Sequence, residues 1–396
     1  MHKTPRGSRK YVTILGNVNV GKSTLFNAIL GQERSIVSDH KGTTTDPVAV
    51  SMELIPFGPI VLVDTGGLDD FSPLGEQRIR ETRKIVNRTD LILYVIDINS
   101  FDEREFTDNV LEFTKKNIPH ILVFTKCDKA TKETIAALQS RYTEAAFISN
   151  NEESIELLKA KIGQCLGKLD KDEETLIGDI LPKGSIVVMV VSIDAGAPKG
   201  RLILPQVQFI RDCLDHGVKC LVTKEDELES ALVSLQKVDL VVTDSQNFKT
   251  VERVVPQKIP LTSFSMLLAR QKGDMDMYME GIKAIADLTE GAKILIAETC
   301  THNTSHEDIG RVKIPTLLKE HIGKELKFDF YSGHDFPDKL RDYALVIHCG
   351  GCMMNKKGIK TRLEMCQDMG VPVTNYGVIL AHLSGILKRC SELFYG

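Results

Sequence analysis

A chain of 396 residues with 42% hydrophobic content can bury a large core, and that length divides into two or three domains. Its net charge of −4 gives no sign of a basic face for nucleic acid, and no apolar run reaches the roughly 18–20 residues needed to span a bilayer. Nine cysteines, an odd number scattered along the chain, argue against a disulfide framework.

The basic start (His2, Lys3, Arg6, Arg9, Lys10) leads into a strand without a signal-type apolar stretch, so a cytoplasmic protein is expected. Short apolar runs follow at Tyr11–Leu15, Ile60–Val63, Leu91–Ile96 and His120–Phe124, separated by amphipathic stretches. This alternation predicts a doubly wound, mostly parallel sheet covered by helices, in a first domain over residues 1–168. A polar segment, 169–184, reads as a linker. The runs Ile186–Ile193, Val218–Val222 and Val238–Val242, with helical spacing at Leu204–Asp215 and Glu227–Lys237, predict a middle α/β domain over 185–272. Met275, Met277 and Met279 fall in an expected connector, Gly273–Gly291, where methionines serve as flexible packing. Strands at Lys293–Ala297, Leu326–Tyr331 and Tyr343–Ile347 and helical spacing at Val312–His321 mark a last α/β domain over 273–396. The fold class is therefore α/β, with three successive α/β domains.

Gly16-Asn17-Val18-Asn19-Val20-Gly21-Lys22-Ser23 fits the P-loop pattern and stands between a strand and the helical stretch Thr24–Leu30. Gly16 and Gly21 let the backbone wrap phosphates, Lys22 brings a cation to the β- and γ-phosphates, and Ser23 ligates Mg²⁺. Asp64-Thr65-Gly66-Gly67 ends a strand, where Asp64 reaches Mg²⁺ through water and Gly67 offers its N–H to the γ-phosphate. Between them lies Gly42-Thr43-Thr44-Thr45-Asp46, of the kind ordered by a γ-phosphate. Thr125-Lys126-Cys127-Asp128 supplies a carboxylate for guanine N1 and N2, which adenine cannot satisfy. Ser149, followed by Asn150, marks a short guanine-contacting loop. The nucleotide expected is GTP.

This order of motifs resembles the Era/TrmE branch of GTPases. The resemblance implies Thr44 as a second Mg²⁺ ligand and Thr24 beside the phosphates, and it makes Thr125 a departure from N-K-x-D. Leu68 replaces the water-orienting glutamine of many GTPases, whereas Asn19 matches the asparagine of potassium-activated relatives. A slow GTPase stimulated by K⁺ is implied.

The last domain carries Cys300-Thr301-His302 and His348-Cys349-Gly350-Gly351-Cys352, each group directly after an apolar strand. Ligand sites lie outside the carboxyl ends of parallel strands, so the three thiolates converge on one metal site. Zinc and an iron–sulfur cluster both suit three cysteines, with Glu298, His302 or His348 as a fourth ligand. The two histidines could instead support the cysteines, and His306 and His334 read as surface or packing residues. The other six cysteines, Cys127, Cys165, Cys213, Cys220, Cys366 and Cys390, read as packed thiols.

With a GTPase domain and a middle α/β domain before it, this cysteine signature resembles the HydF family of [FeFe]-hydrogenase maturation GTPases over essentially the whole chain. The resemblance implies a [4Fe-4S] cluster on Cys300, Cys349 and Cys352 with a labile fourth ligand, and a homodimer formed through the middle domain. It also implies a scaffold that works with the radical-SAM enzymes HydE and HydG and passes a di-iron subcluster to the apo-hydrogenase. The alternative is an Era/TrmE-like GTPase with a structural zinc site, acting on RNA or the ribosome. That reading wants a basic appendage, which the C-terminal region lacks.

Overall fold

The computed structural model describes residues 6–31, 47–66, 75–149, 151–170, 175–193, 202–299, 309–337 and 339–395. The chain divides into two compact units, 1–173 and 174–396. Among the described residues, no helix is long and apolar enough to cross a membrane.

The first unit is built on six strands: β1 (Lys10–Leu15), β2 (Val48–Leu54), β3 (Gly58–Asp64), β4 (Leu91–Asp97), β5 (His120–Thr125) and β6 (Ala146–Phe147). Their order is β2-β3-β1-β4-β5-β6, with every pair parallel except β2–β3. Alternation along the strands sends side chains to two cores. Val12, Ile14, Leu91, Leu93 and Val95 pack on one face with Leu25, Phe26 and Ile29 of the helix Lys22–Leu30. Ile155, Leu158, Ile162 and Leu166 of the helix Glu152–Asp170, at helical spacing, complete that core. Leu15, Ile92, Tyr94 and Phe124 face the other side, against Ile98, Phe113 and Ile118. The edge strand β2 mixes exposed and half-buried residues, with only Leu54 buried, and escapes apolar-run reading for that reason.

The second unit contains two fully parallel four-stranded sheets. The first has β7 (Ile186–Val190), β8 (Lys219–Thr223), β9 (Leu240–Thr243) and β10 (Leu261–Ser263), in the order β10-β9-β7-β8. The other has β11 (Lys293–Ala297), β12 (Lys327–Tyr331), β13 (Leu345–His348) and β14 (Val373–Asn375), in the order β12-β11-β13-β14. One apolar core runs through both, from Val188, Val241 and Leu261 to Ile294, Ile296 and Val346.

Several local expectations are corrected. The helix Glu152–Asp170 runs into the expected linker, and Leu176 and Ile177 from that linker are buried core residues. The expected connector after Gly273 forms the helix Met275–Lys283, capped by Asp274, whose carboxylate accepts from the Met277 N–H at 2.9 Å. Met275 on that helix is buried core. The expected helix over Val312–His321 is Ile314–Ile322 preceded by a π-turn at Ile309–Lys313.

Candidate functional site: a phosphate cradle and a cysteine loop

In the first unit, β1 lies between β3 and β4 and ends at Leu15, with Gly16 directly after it. A Cβ on Gly16 would sit 2.2 Å from the Val95 carbonyl oxygen, so only glycine lets the loop leave the sheet here. Asn19 is left-handed (φ 62), and Gly21 (φ 99) opens the helix Lys22–Leu30 without a side-chain cap. The helix's first N–H groups therefore face the loop, the arrangement that binds phosphate. Lys22 Nζ donates to the Asn17 carbonyl at 2.6 Å, holding the loop closed around a largely buried ammonium. Asn17 Nδ2 in turn donates to Glu105 at 2.6 Å, a partner that sequence spacing does not reveal. Thr24 is exposed one residue beyond Ser23.

Asp64 ends β3. Its Oδ2 accepts from Ser23 Oγ at 2.7 Å, while its Oδ1 is buried with no hydrogen-bond partner among the described residues. Burial pushes this carboxyl up, against the opposing pull of Ser23, Lys22 and the Thr65 backbone. An orphaned carboxylate oxygen beside a serine hydroxyl fits a hydrated Mg²⁺, which would satisfy it. Thr65 Oγ1 donates to Ile14 O at 2.7 Å and fixes β3 to β1 at this point.

The guanine segment is tied to the cradle by protein atoms. Thr125 Oγ1 donates to Val20 O at 2.6 Å and lies 3.2 Å from Ile96 O. Its hydroxyl thus ties the segment to the phosphate loop, so the departure from asparagine leaves the structural link in place. Lys126 is left-handed (φ 56), and its Nζ donates to Asn19 O and Asp97 Oδ2, both at 2.8 Å. Burial opposes the charge on Asp97, but bonds from Lys126 and Asn99 outweigh it and hold that carboxyl below its usual range. Asp128 follows in the turn Cys127–Lys129 with its carboxylate exposed. Cys127 N donates to Ile148 O at 3.2 Å, which brings Ser149 alongside. Thr44, Gly67, Leu68 and Asn150 lie outside the described residues.

In the second unit, β11 and β13 are neighbours and end side by side, Ala297 opposite His348. Beyond β11, the Thr299 N–H donates to Cys349 Sγ at 3.2 Å, and the Thr299 hydroxyl lies 3.3 Å from the same sulfur. Burial pushes the Cys349 thiol up, and these Thr299 contacts pull the other way, toward a thiolate. Gly351 (φ 69) makes the turn to Cys352, and a Cβ there would meet Ile359 at 2.8 Å. Thr299 is a site residue that the cysteine spacing did not reveal. Cys300, the next residue, lies outside the described residues with His302 and His306. Among the described residues no group of three or more His, Cys, Asp or Glu is placed to hold a metal ion.

The two described candidates for a fourth ligand are both engaged. His348 is buried, and its Nδ1–H donates to Cys349 O at 2.8 Å, while its Nε2 accepts from Arg362 Nη1 at 3.1 Å. Burial and then the Arg362 charge push His348 down to about 3, so the ring is neutral and supports the cysteine loop. Arg362 Nη2 also donates to the carbonyls of Gly333 and Asp335. Glu298 is paired with Arg311 at 3.4 Å and accepts from Tyr376 at 3.3 Å. His334 is exposed. Of the six cysteines read as packing, Cys127, Cys213, Cys366 and Cys390 are buried and Cys165 and Cys220 half-buried.

The chain is similar to known proteins in three stretches. Residues 11–126 match the 50S ribosome-binding GTPase family, 176–273 the hydrogen maturase F dimerization domain, and 276–393 the hydrogen maturase F tetramerization domain. The tRNA modification GTPase MnmE of Syntrophotalea carbinolica is 32% identical over 212 residues, 46% of this chain and 46% of that protein. GTPase Der of Rickettsia rickettsii is 32% identical over 205 residues, 50% of this chain and 44% of that protein. The chain thus spans less than half the length of these relatives. A crystal structure of Era with MgGDPNP and nucleotides 1506–1542 of 16S ribosomal RNA is similar at 26% identity and a TM-score of 0.31, covering 38% of this chain and 56% of that one.

Proposed function

Because this chain belongs to the hydrogen maturase F family, we propose that it is a GTP-hydrolysing scaffold carrying a [4Fe-4S] cluster on Cys300, Cys349 and Cys352. It assembles the di-iron subcluster of [FeFe]-hydrogenase, with HydE and HydG as sources and the apo-hydrogenase as recipient. The observation that carries this reading is the Thr299 N–H aimed at Cys349 Sγ where β11 and β13 end together. Backbone N–H donation to sulfur is how proteins hold cluster thiolates and tune them. Bound there, a cluster supplies an iron with one exchangeable position. Cys349 and Cys352 would hold it, Gly351 permits the turn between them, and Asn375 Nδ2 anchors the loop through Cys349 O at 3.1 Å.

In the GTPase domain, Lys22 and the helix N–H groups bind the phosphates, Ser23 and Asp64 hold Mg²⁺, and Asp128 reads guanine. In this reading Thr44 is a second Mg²⁺ ligand, Gly67 offers its N–H to the γ-phosphate, and Ser149 flanks the base. The RNA-directed alternative draws only on the GTPase domain, which MnmE and Der share.

The family domains support a homo-oligomer. In the middle sheet, β8 is an edge, and Leu221 and Val222 on it are 37% and 43% exposed, the apolar edge that a second copy would cover.

Anaerobic reconstitution should load roughly four irons and four sulfides per chain, with an EPR signal on reduction. Cys349→Ala should lose most of that iron and the signal, whereas one tightly held zinc and no cluster would overturn the assignment. GTP hydrolysis should be slow and faster in K⁺ than in Na⁺, with Asn19→Ala removing the difference. Equal rates for the wild type in matched buffers would remove K⁺ from the mechanism.

A further inference from the structure

Two residues of the helix Phe264–Lys272 support the loop Cys349–Cys352. Ser265 Oγ donates to Asn375 Oδ1 at 3.1 Å, and Asn375 Nδ2 donates to the Cys349 carbonyl. The approach is close: a Cβ on Gly350 would lie 3.3 Å from Ser265 Oγ. About two turns along the same helix, Lys272 Nζ donates to Gly351 O at 3.0 Å and Met354 O at 2.9 Å, bracketing Cys352. Lys272 is only 6% exposed. The helix falls within the stretch matched to the dimerization domain, and the loop within the stretch matched to the tetramerization domain.

Burying an ammonium group is unfavourable unless acceptors and negative charge surround it. Carbonyl oxygens meet part of that cost, and an iron–sulfur cluster held by three thiolates adds net negative charge on the same loop. Resting on the cluster reading above, we infer that Lys272 is a positioning residue for the iron–sulfur site. Its two bonds fix the loop that carries Cys352 and slow the loss of iron, and its charge makes the cluster easier to reduce. The dimerization domain thereby contributes one wall of a site whose cysteines all belong to its neighbour.

The test uses full-length protein reconstituted without oxygen, wild type beside Lys272→Gln and Lys272→Met. Cluster potential is read by EPR-monitored titration, and iron release by challenge with a ferrous chelator. Loss of the charge should change the ratio of reduced to oxidised cluster about tenfold at fixed potential, or about 59 mV more negative for one electron. Lys272→Gln retains a carbonyl donor and should show that shift with near-wild-type iron release. Lys272→Met should show the shift together with release about tenfold faster. A lysine that only packs would alter release and leave the potential in place, and that result overturns the inference. In metal-free protein, amide exchange over residues 349–354 should speed up in Lys272→Met. This readout needs no cluster: a wild type that takes up no iron ends the cluster reading, while unchanged exchange ends the role of Lys272 in fixing the loop. Lys272→Gln, close to lysine in length, keeps the comparison available if Lys272→Met fails to fold.

Discussion

Asp128→Asn should lower kcat/KM for GTP by about 10⁴-fold and open the site to xanthosine triphosphate. In the proposed reading, the wild-type carboxylate would accept two hydrogen bonds from guanine N1 and N2. Asparagine can accept only one of them, and its amide NH₂ is set against the guanine NH₂, leaving two donors facing each other. Xanthine replaces that NH₂ with a carbonyl, which the amide can satisfy. Asp128 sits in a turn held by Lys126 and by the Cys127–Ile148 backbone bond, so the substitution changes chemistry without moving the segment. Steady-state hydrolysis with GTP, ATP and xanthosine triphosphate measures the switch. Unchanged turnover of GTP would mean that guanine is read by another residue.

Gly16→Ala should cost about 3 kcal/mol of stability in the GTPase domain, with nucleotide affinity falling alongside. The added methyl would lie 2.2 Å from Val95 O, an atom of the central strand β4, at a backbone angle (φ 151) that L side chains rarely adopt. Neither the buried strand nor the loop can yield without disturbing the cradle, because Thr125 pins Val20 a few residues on. Thermal unfolding and binding of a fluorescent GDP analogue report the two effects. A wild-type melting temperature in Gly16→Ala would show that the loop relaxes more readily than its contacts imply.

What the sequence made legible follows from where side chains are buried on both faces. The runs Leu91–Ile96, His120–Phe124 and Lys293–Ala297 are continuous and apolar because parallel strands under two helical layers have no polar face, and the strands found there agree to within a residue. The reading stops where that condition fails. Ile186–Ile193 reads as one strand, but the ladder ends at Val190, because apolar character alone does not say where pairing stops. The segment after Gly273 reads as a connector with its methionines as packing; the Asp274 cap starts a helix there, and Met275 is indeed buried, beside Tyr278. At the candidate sites, spacing proposes Lys22, Asp64, Asp128, Cys349 and Cys352, whose expected chemistry is tied to short motifs. It leaves out Asp97, Glu105, Thr299, Arg362 and Lys272, which arrive from other strands and helices and are defined only by the fold. For His348, spacing offers a ligand or a support, and only the bonds to Arg362 and Cys349 O separate the two.

The hydroxyl of Thr125 has a kinetic consequence. It joins the base-reading segment to the phosphate loop, and Lys126 adds a second tie through Asn19 O. These bonds form between protein atoms, so the entropy of aligning the two subsites is lost when the domain folds and is not charged to each binding event. Association with a nucleotide then needs little rearrangement in this half of the site and can run near the ordinary encounter rate. Differences in affinity between one nucleotide and another should accordingly be found in how long each stays.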